Sequence, residues 1–236
     1  MFRLNPELDP AALAATFAAA GHVQVRDFLH PDDATALHAE MRRREDWVQI
    51  VNSGGKVFDL DRPTRTAMSP EQRDALDQAV YAGAREGFQH RYEAIRVPDA
   101  TTDRAATDDV FAKFALWLST GETRTLLRDL IGRSELDFAD AQATAYSPGD
   151  FLTAHDDAVD GKGRLAAYVF GLTPQWRPEW GGLLLFHNDA GDIAHGLTPR
   201  FNALNLFAVP QLHSVSMVTR SAPFRRYAVT GWLRSK

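Results

Sequence analysis

Apolar and polar positions along this chain follow two different periods, and the change falls near residue 140. The first half is patterned for helices. Asp9-Pro10 reads as an N-cap followed by proline at the first helical position, opening an Ala-rich helix over residues 10–20. A short apolar strand over 22–28 comes next. Pro31 then opens a helix to residue 46, with Ala34, Leu37, His38 and Met41 at helical spacing. Ser69-Pro70-Glu71-Gln72 has the form of a capping box and predicts a helix that runs to Tyr92. Two more helices are expected over 108–119 and 122–131, the second stopped by Gly132. Between the second and third helices, short apolar runs flank Asn52-Ser53-Gly54-Gly55, which predicts a hairpin over 47–65, either a plain surface hairpin or a lid over a site.

From residue 140 onward, short strand-like runs alternate with Gly and Pro punctuation: 142–146, 164–170, 182–186, 203–209, 214–218 and 226–233. This spacing predicts a β-sandwich or jelly roll. The expected fold class is mainly β with a helical N-terminal half (α+β): a double-stranded β-helix core over 140–236, supported by helices over 1–139. With no internal repeat and no low-complexity linker, the reading is one domain over 1–236.

Composition narrows the chemistry. The chain has 44% hydrophobic and 24% charged residues, as an ordinary globular protein does. Its net charge of −5 argues against nucleic acid as a default partner, since phosphate binding needs a basic field. The N-terminus, MFRLNPELDP, lacks the apolar stretch of a signal peptide, and no window reaches the length of a membrane span. The expectation is a cytoplasmic protein without a membrane partner. The absence of cysteine removes disulfides, iron–sulfur clusters and thiol nucleophiles. Any metal site must use imidazole and carboxylate, and eight histidines are available.

His155-Asp156-Asp157 follows a strand-like run. In extended chain, residues two apart project to the same face, so His155 and Asp157 can grip one ion. His213 opens the run 214–218 and offers a third ligand. His187 and His195, in the turn region 188–196, are alternatives in principle, but only His213 is followed by a strand with a well-placed arginine. Two histidines and one carboxylate leave three positions open, the arrangement of non-haem Fe(II) that activates oxygen. The four histidines of the first half, His22, His30, His38 and His90, read as structural or solvent-facing.

In the last strand, alternation places Arg226, Ala228, Thr230 and Trp232 on one face. An inward arginine is costly unless it meets an anion, and guanidinium pairs bidentately with carboxylate, so a small dicarboxylate is a natural partner. Tyr227 and Val229 make the opposite face equally apolar, and parity alone leaves Arg226 and Arg225 both open.

The segment from Ala141 to Arg234 resembles the catalytic core of the prolyl hydroxylase branch of the Fe(II)/2-oxoglutarate dioxygenases. The matching pieces occur in order: Tyr146-Ser147-Pro148-Gly149, His155-x-Asp157, Trp176, Trp180-Gly181-Gly182-Leu183, Pro199-Arg200-Phe201-Asn202-x-Leu204, His213-x-Val215 and Arg226-Tyr227-Ala228-Val229-Thr230-x-Trp232. The resemblance implies His155, Asp157 and His213 as the iron ligands. It implies that Arg226 and Thr230 hold the distal carboxylate of 2-oxoglutarate, that Tyr146 bonds the same co-substrate and that Trp232 lines the pocket. Relatives often carry a second tyrosine on the strand that here spans 164–170, where Tyr168 stands. Halogenating relatives replace the carboxylate ligand with a small residue. Asp157 is present, so hydroxylation is expected. The implied cofactors are Fe(II), 2-oxoglutarate as co-substrate and O2, with room for ascorbate. The implied substrate is a prolyl residue of a protein or peptide, with release of succinate and CO2. Free proline or another small molecule, and a non-catalytic jelly-roll binding module, remain the alternatives.

Overall fold

Helices form where their start and stop chemistry places them. In the computed structural model, which describes residues 2–235, α1 (Pro10–Ala20) opens on Asp9, whose carboxylate accepts from the Ala12 N–H, and stops at Gly21 in the left-handed conformation. Strand β1 (His22–Arg26) leads into α2 (Pro31–Arg43), which buries Ala34, Leu37 and Met41. The predicted hairpin follows as β2 (Val48–Ser53) and β3 (Lys56–Leu60), turned by Gly54-Gly55. A six-residue helix that the sequence pattern did not reveal, α3 (Arg62–Ala67), comes next.

The capping box at Ser69 is present with both reciprocal bonds and opens α4 (Pro70–Glu86). Here the structure corrects the sequence reading. The helix stops at Gly87 rather than reaching Tyr92, and β4 (His90–Arg96) takes the residues beyond. Helical propensity of the preceding residues does not outweigh the pairing that β4 gains on three neighbours, β2, β6 and β7. The short α5 (Thr101–Ala105) precedes the two expected helices α6 (Val110–Leu118) and α7 (Gly121–Ile131), the latter stopped by Gly132.

The second half supplies β5 (Phe138–Ala139), β6 (Gln142–Tyr146), β7 (Phe151–His155), β8 (Arg164–Gly171), β9 (Leu184–His187), β10 (Ile193–Leu197), β11 (Ala203–Ala208), β12 (His213–Val215) and β13 (Arg226–Arg234). The turn region around His195 therefore contains a strand, β10, paired with β9. All pairings are antiparallel, and the spatial order is β1-β11-β8-β13-β6-β4-β7-β12-β9-β10. β2 and β3 branch from β4, and β5 pairs with the end of β13. The sheet curls into a half-barrel.

That order adds strands from the first half to the jelly-roll core that the helices support. β1 edges the sheet against β11, and β4 lies between β6 and β7 at its centre. The first half therefore builds part of the β framework.

Alternation separates two environments. On one face of the sheet Tyr168, Phe170, Leu206, Val229 and Leu233 pack with helix residues Phe17, Leu37, Phe111, Phe114 and Leu127 in the main core. Each fully buried side chain of this kind contributes about 1.5–3 kcal/mol. The other face turns inward as the concave wall of a cavity, where Ala167, Leu184 and Phe207 form a smaller apolar floor packed against Phe186.

Candidate metal centre and its cavity

His155 ends β7 and His213 begins β12, and the two strands pair so that these residues stand directly opposite one another. Their rings lie 4.2 Å apart between centroids. Asp157 comes back toward them because its backbone adopts φ 64°, a left-handed conformation that aspartate tolerates better than most residues. The Nε2 atoms of His155 and His213 each sit 3.4 Å from a different carboxylate oxygen of Asp157. One ligand atom from each residue lies within 4.8 Å of the others, and no other such group of three occurs among the described residues. The alternatives His187 and His195 are not drawn in: His187 Nε2 bonds the Ser214 hydroxyl, and His195 stacks on His22 at the sheet edge.

Backbone acceptors orient both rings. Nδ1 of His155 lies 3.0 Å from the Thr153 carbonyl and Nδ1 of His213 lies 2.8 Å from the Gln211 carbonyl. Donation from each Nδ1–H leaves the Nε2 lone pair directed at the shared point, as a metal ligand requires. Burial, with the neighbouring His155, pushes the His213 imidazolium down to about 4, so this ring is neutral at physiological pH. Burial works against the Asp157 carboxylate, but the adjacent His155 and His213 rings outweigh it and hold it below its ordinary value. The donor set thus fits a divalent cation.

These residues open on a cavity of about 400 Å3. Arg226 lines its inner part, and Thr230 and Trp232 follow on the same face of β13. The tertiary structure thereby resolves the two arginines: Arg226 faces inward, while Arg225 turns away and pairs with Glu93. Arg226 is 4% exposed, and its guanidinium has no carboxylate or hydrogen-bond acceptor among the described residues. Its guanidinium carbon lies 4.9 Å from the ring centroid of Tyr146. Burial pushes the Arg226 pKa down. A buried, unpaired guanidinium is costly, so the cavity carries a built demand for an anion. Gly182 makes room for it. A Cβ there would stand 3.0 Å from Arg226 Cδ, on a backbone with φ 63°.

Tyr146 is buried, and burial pushes its hydroxyl pKa upward, so it stays a neutral donor. Tyr92 stacks on it with centroids 5.2 Å apart. The expected second tyrosine, Tyr168, is corrected: its hydroxyl donates to the Asp140 carbonyl at 2.7 Å, on the helix side of β8. Tyr168 borders the cavity without turning its hydroxyl into it, and the tyrosine that stacks beside Tyr146 there is Tyr92 from β4. His90, one pleat away on β4, also lines the cavity beside Phe88, which is 52% exposed at the rim. Sequence reasoning missed both because β4 was read as helix. Gly87, followed by His90 and Tyr92 in alternation, was the available signal.

Arg164 was missed for another reason. Alternation places it with Ala166 and Tyr168 on the helix side. A register shift in the β8–β13 pairing, between Leu233 and Arg234, breaks that alternation. Arg164 lines the cavity, stacks 3.5 Å over Trp232 and donates to the Asp157 carbonyl at 2.8 Å. It has no carboxylate partner among the described residues, and its Nε is unsatisfied. This contact ties down the left-handed residue that brings the ligand carboxylate into place.

Residues 141–234 match the family model of the 2OG-Fe(II) oxygenase superfamily. The chain is 30% identical to the prolyl 3-hydroxylase sudestada1 of Drosophila melanogaster over 111 residues, which is 42% of this chain and 20% of that much longer protein. Among solved structures, a Pseudomonas putida prolyl-4-hydroxylase superposes with a TM-score of 0.61 at 20% identity, covering 97% of this chain and all of that one. A Trichoplax adhaerens prolyl hydroxylase, solved with a peptide fragment of the hypoxia inducible factor oxygen degradation domain, superposes with a TM-score of 0.55 at 16% identity. That alignment covers 96% and 89% of the two chains. At these identities the structural likeness establishes the shared jelly-roll fold. The superfamily's cofactors are Fe(II), 2-oxoglutarate and O2, and the ligand set and the unpaired Arg226 suit the first two.

Proposed function

We propose that this chain hydroxylates a prolyl residue of a protein or peptide, consuming 2-oxoglutarate and O2 and releasing succinate and CO2. One observation carries the reading: three convergent metal-ligand atoms share a cavity with a buried guanidinium that lacks an anion. In this reading His155, Asp157 and His213 hold Fe(II). Arg226 receives the distal carboxylate of 2-oxoglutarate bidentately, with Thr230 and the neutral Tyr146 hydroxyl as further bonds. Bound Fe(II), with 2-oxoglutarate and O2, supplies the power to place an oxygen atom in a C–H bond. The protein fixes the ligand geometry, holds the co-substrate by its far end and presents apolar Leu184 and Phe207 on the cavity wall.

The outer cavity supports the substrate class. Arg164, which lines the cavity beside the metal position with its Nε–H unsatisfied, suits a substrate carbonyl there. Phe88 and Val159 place exposed apolar surface at the rim, as suits a prolyl ring on a passing chain. The β2–β3 hairpin extends the sheet from β4 and carries exposed Val57 and Phe58, a placement that suits a substrate-gripping lid. Free proline is the competing reading, because Arg164 fits a free carboxylate as well as a carbonyl.

The test begins with anaerobic protein, Fe(II) and 2-oxoglutarate, which should give the visible charge-transfer band of the chelate. Asp157→Ala is expected to lose both that band and succinate release. Full turnover in this variant would sink the assignment. Peptide-dependent succinate release, set against release driven by free proline, decides the substrate.

A further inference from the structure

Arg225 and Tyr227 flank Arg226 and turn the other way, into a second cavity of about 380 Å3 on the opposite side of this stretch from the metal site. His38 and Arg42, one turn apart on α2, and Phe224 complete much of its wall. Thr173 and Pro174 also border an adjoining cavity of about 300 Å3 lined by Trp176, Arg200 and Phe201. Neither cavity has an aspartate or glutamate among its lining residues.

Three arginines contribute to this groove. Arg225 is prearranged: it pairs with Glu93, and its guanidinium carbon lies 5.2 Å from the Trp47 ring centroid and 5.4 Å from that of Tyr227. Arg65 pairs with the same carboxylate, so two guanidinium charges share one negative charge. The Arg225 Nε has no partner. Arg42 and Arg200 are exposed and form no ion pair among the described residues. Phe224 leaves nearly half its surface, 48%, in water at the cavity edge. The groove therefore combines local positive charge with aromatic surface in a chain whose net charge is −5.

We propose that this groove is a second ligand site, for a phosphate monoester carried on a planar ring: a mononucleotide or a ligand of that chemistry. Guanidinium groups match phosphate bidentately. Phe224 and Tyr227 offer faces for a flat ring, as in single-strand nucleotide recognition. A volume of this size falls within the range of small-ligand sites. The net negative charge disfavours a long polyanion, yet a single nucleotide needs only this local cluster.

Calorimetry with adenosine monophosphate as the probe, at low salt, tests the site directly. Adenosine and inorganic phosphate are the two comparison ligands. Adenosine monophosphate is expected to bind at least about tenfold more tightly than either. The double variant Arg42→Glu, Arg200→Glu should weaken it by about tenfold or more while retaining succinate release. Binding that survives this charge reversal would overturn the proposal, as would the absence of heat at millimolar ligand. Competition by 2-oxoglutarate in the presence of metal would also overturn it, because the anion would then sit at Arg226.

Discussion

Single residues in this cavity set stability against use, and Arg226 shows the conflict most directly. It is buried without an anion, so the protein without co-substrate bears the cost of an unpaired cation. Arg226→Leu is expected to leave the ligand-free protein as stable as the parent or more so in a thermal melt. The same change should raise the apparent KM for 2-oxoglutarate at least about tenfold, the scale of a lost charge-assisted bond of about 1.5–3 kcal/mol. His90 supplies a pH dependence. Burial, with the nearby His155, lowers its pKa from 6.5 to about 4. Below pH 6.5 the unfolded chain takes up a proton that the folded ring refuses. The stability from this residue is therefore complete above that value and declines toward pH 4, by up to about 3 kcal/mol. Denaturant titrations from pH 7 to 4 should show a shallower decline in His90→Phe, which keeps a ring against Phe88 and Tyr92.

At the level of elements, motif residues divide into those that meet the cavity and those that hold the strands around it. Gly181 belongs to the second group. With φ 68°, an added Cβ would fall within 1.9 Å of the Met217 carbonyl, so the turn before β9 admits glycine alone. Asn202 is another. Its side chain accepts from the Leu29 N–H at 2.9 Å and donates to the Leu29 carbonyl at 2.8 Å, fastening the segment before α2 to the turn before β11. Asn202→Ala leaves both buried backbone groups unpaired and is expected to cost roughly 2–4 kcal/mol. Chemical denaturation measures that loss, and the His155, Asp157 and His213 cluster should be unaffected once the protein is folded. The register shift opposite Arg164 acts at this scale too, turning a residue from the helix side into the cavity.

For the whole molecule, the decisive fact is that the sheet is threaded from both halves of the chain. β4 separates β6 from β7, and it brings Tyr92 and His90 to the cavity between Tyr146 and His155. A fragment of residues 140–236 would lack the central strand, the β1 edge and every helix that covers the main core. It is expected to show no cooperative unfolding and no metal-dependent stabilisation, both readable by calorimetry. Intact chain with Fe(II) or a redox-inert divalent substitute should melt higher than the metal-free chain by mass action. No helix among the described residues is long and apolar enough to cross a membrane.

Local chemistry and period determined much of this protein from the sequence. Caps, proline starts and glycine stops located α1, α2, α6 and α7. Period-2 runs located most of the later strands and put Arg226, Thr230 and Trp232 on one face. His155, Asp157 and His213 were legible as a candidate ligand set from residue type and spacing, and the fold brings them together. The tertiary structure decided what depends on distant partners. β4 is a strand because three neighbours pair with it, although the local signal ran helical from the capping box at Ser69. Arg226 is the inward arginine because helices cover the opposite face of β13, a fact that parity cannot contain. Tyr92 and Arg164 enter the cavity through strand order and a break in register. Both are properties of pairing between segments far apart in the chain, and no local pattern encodes them.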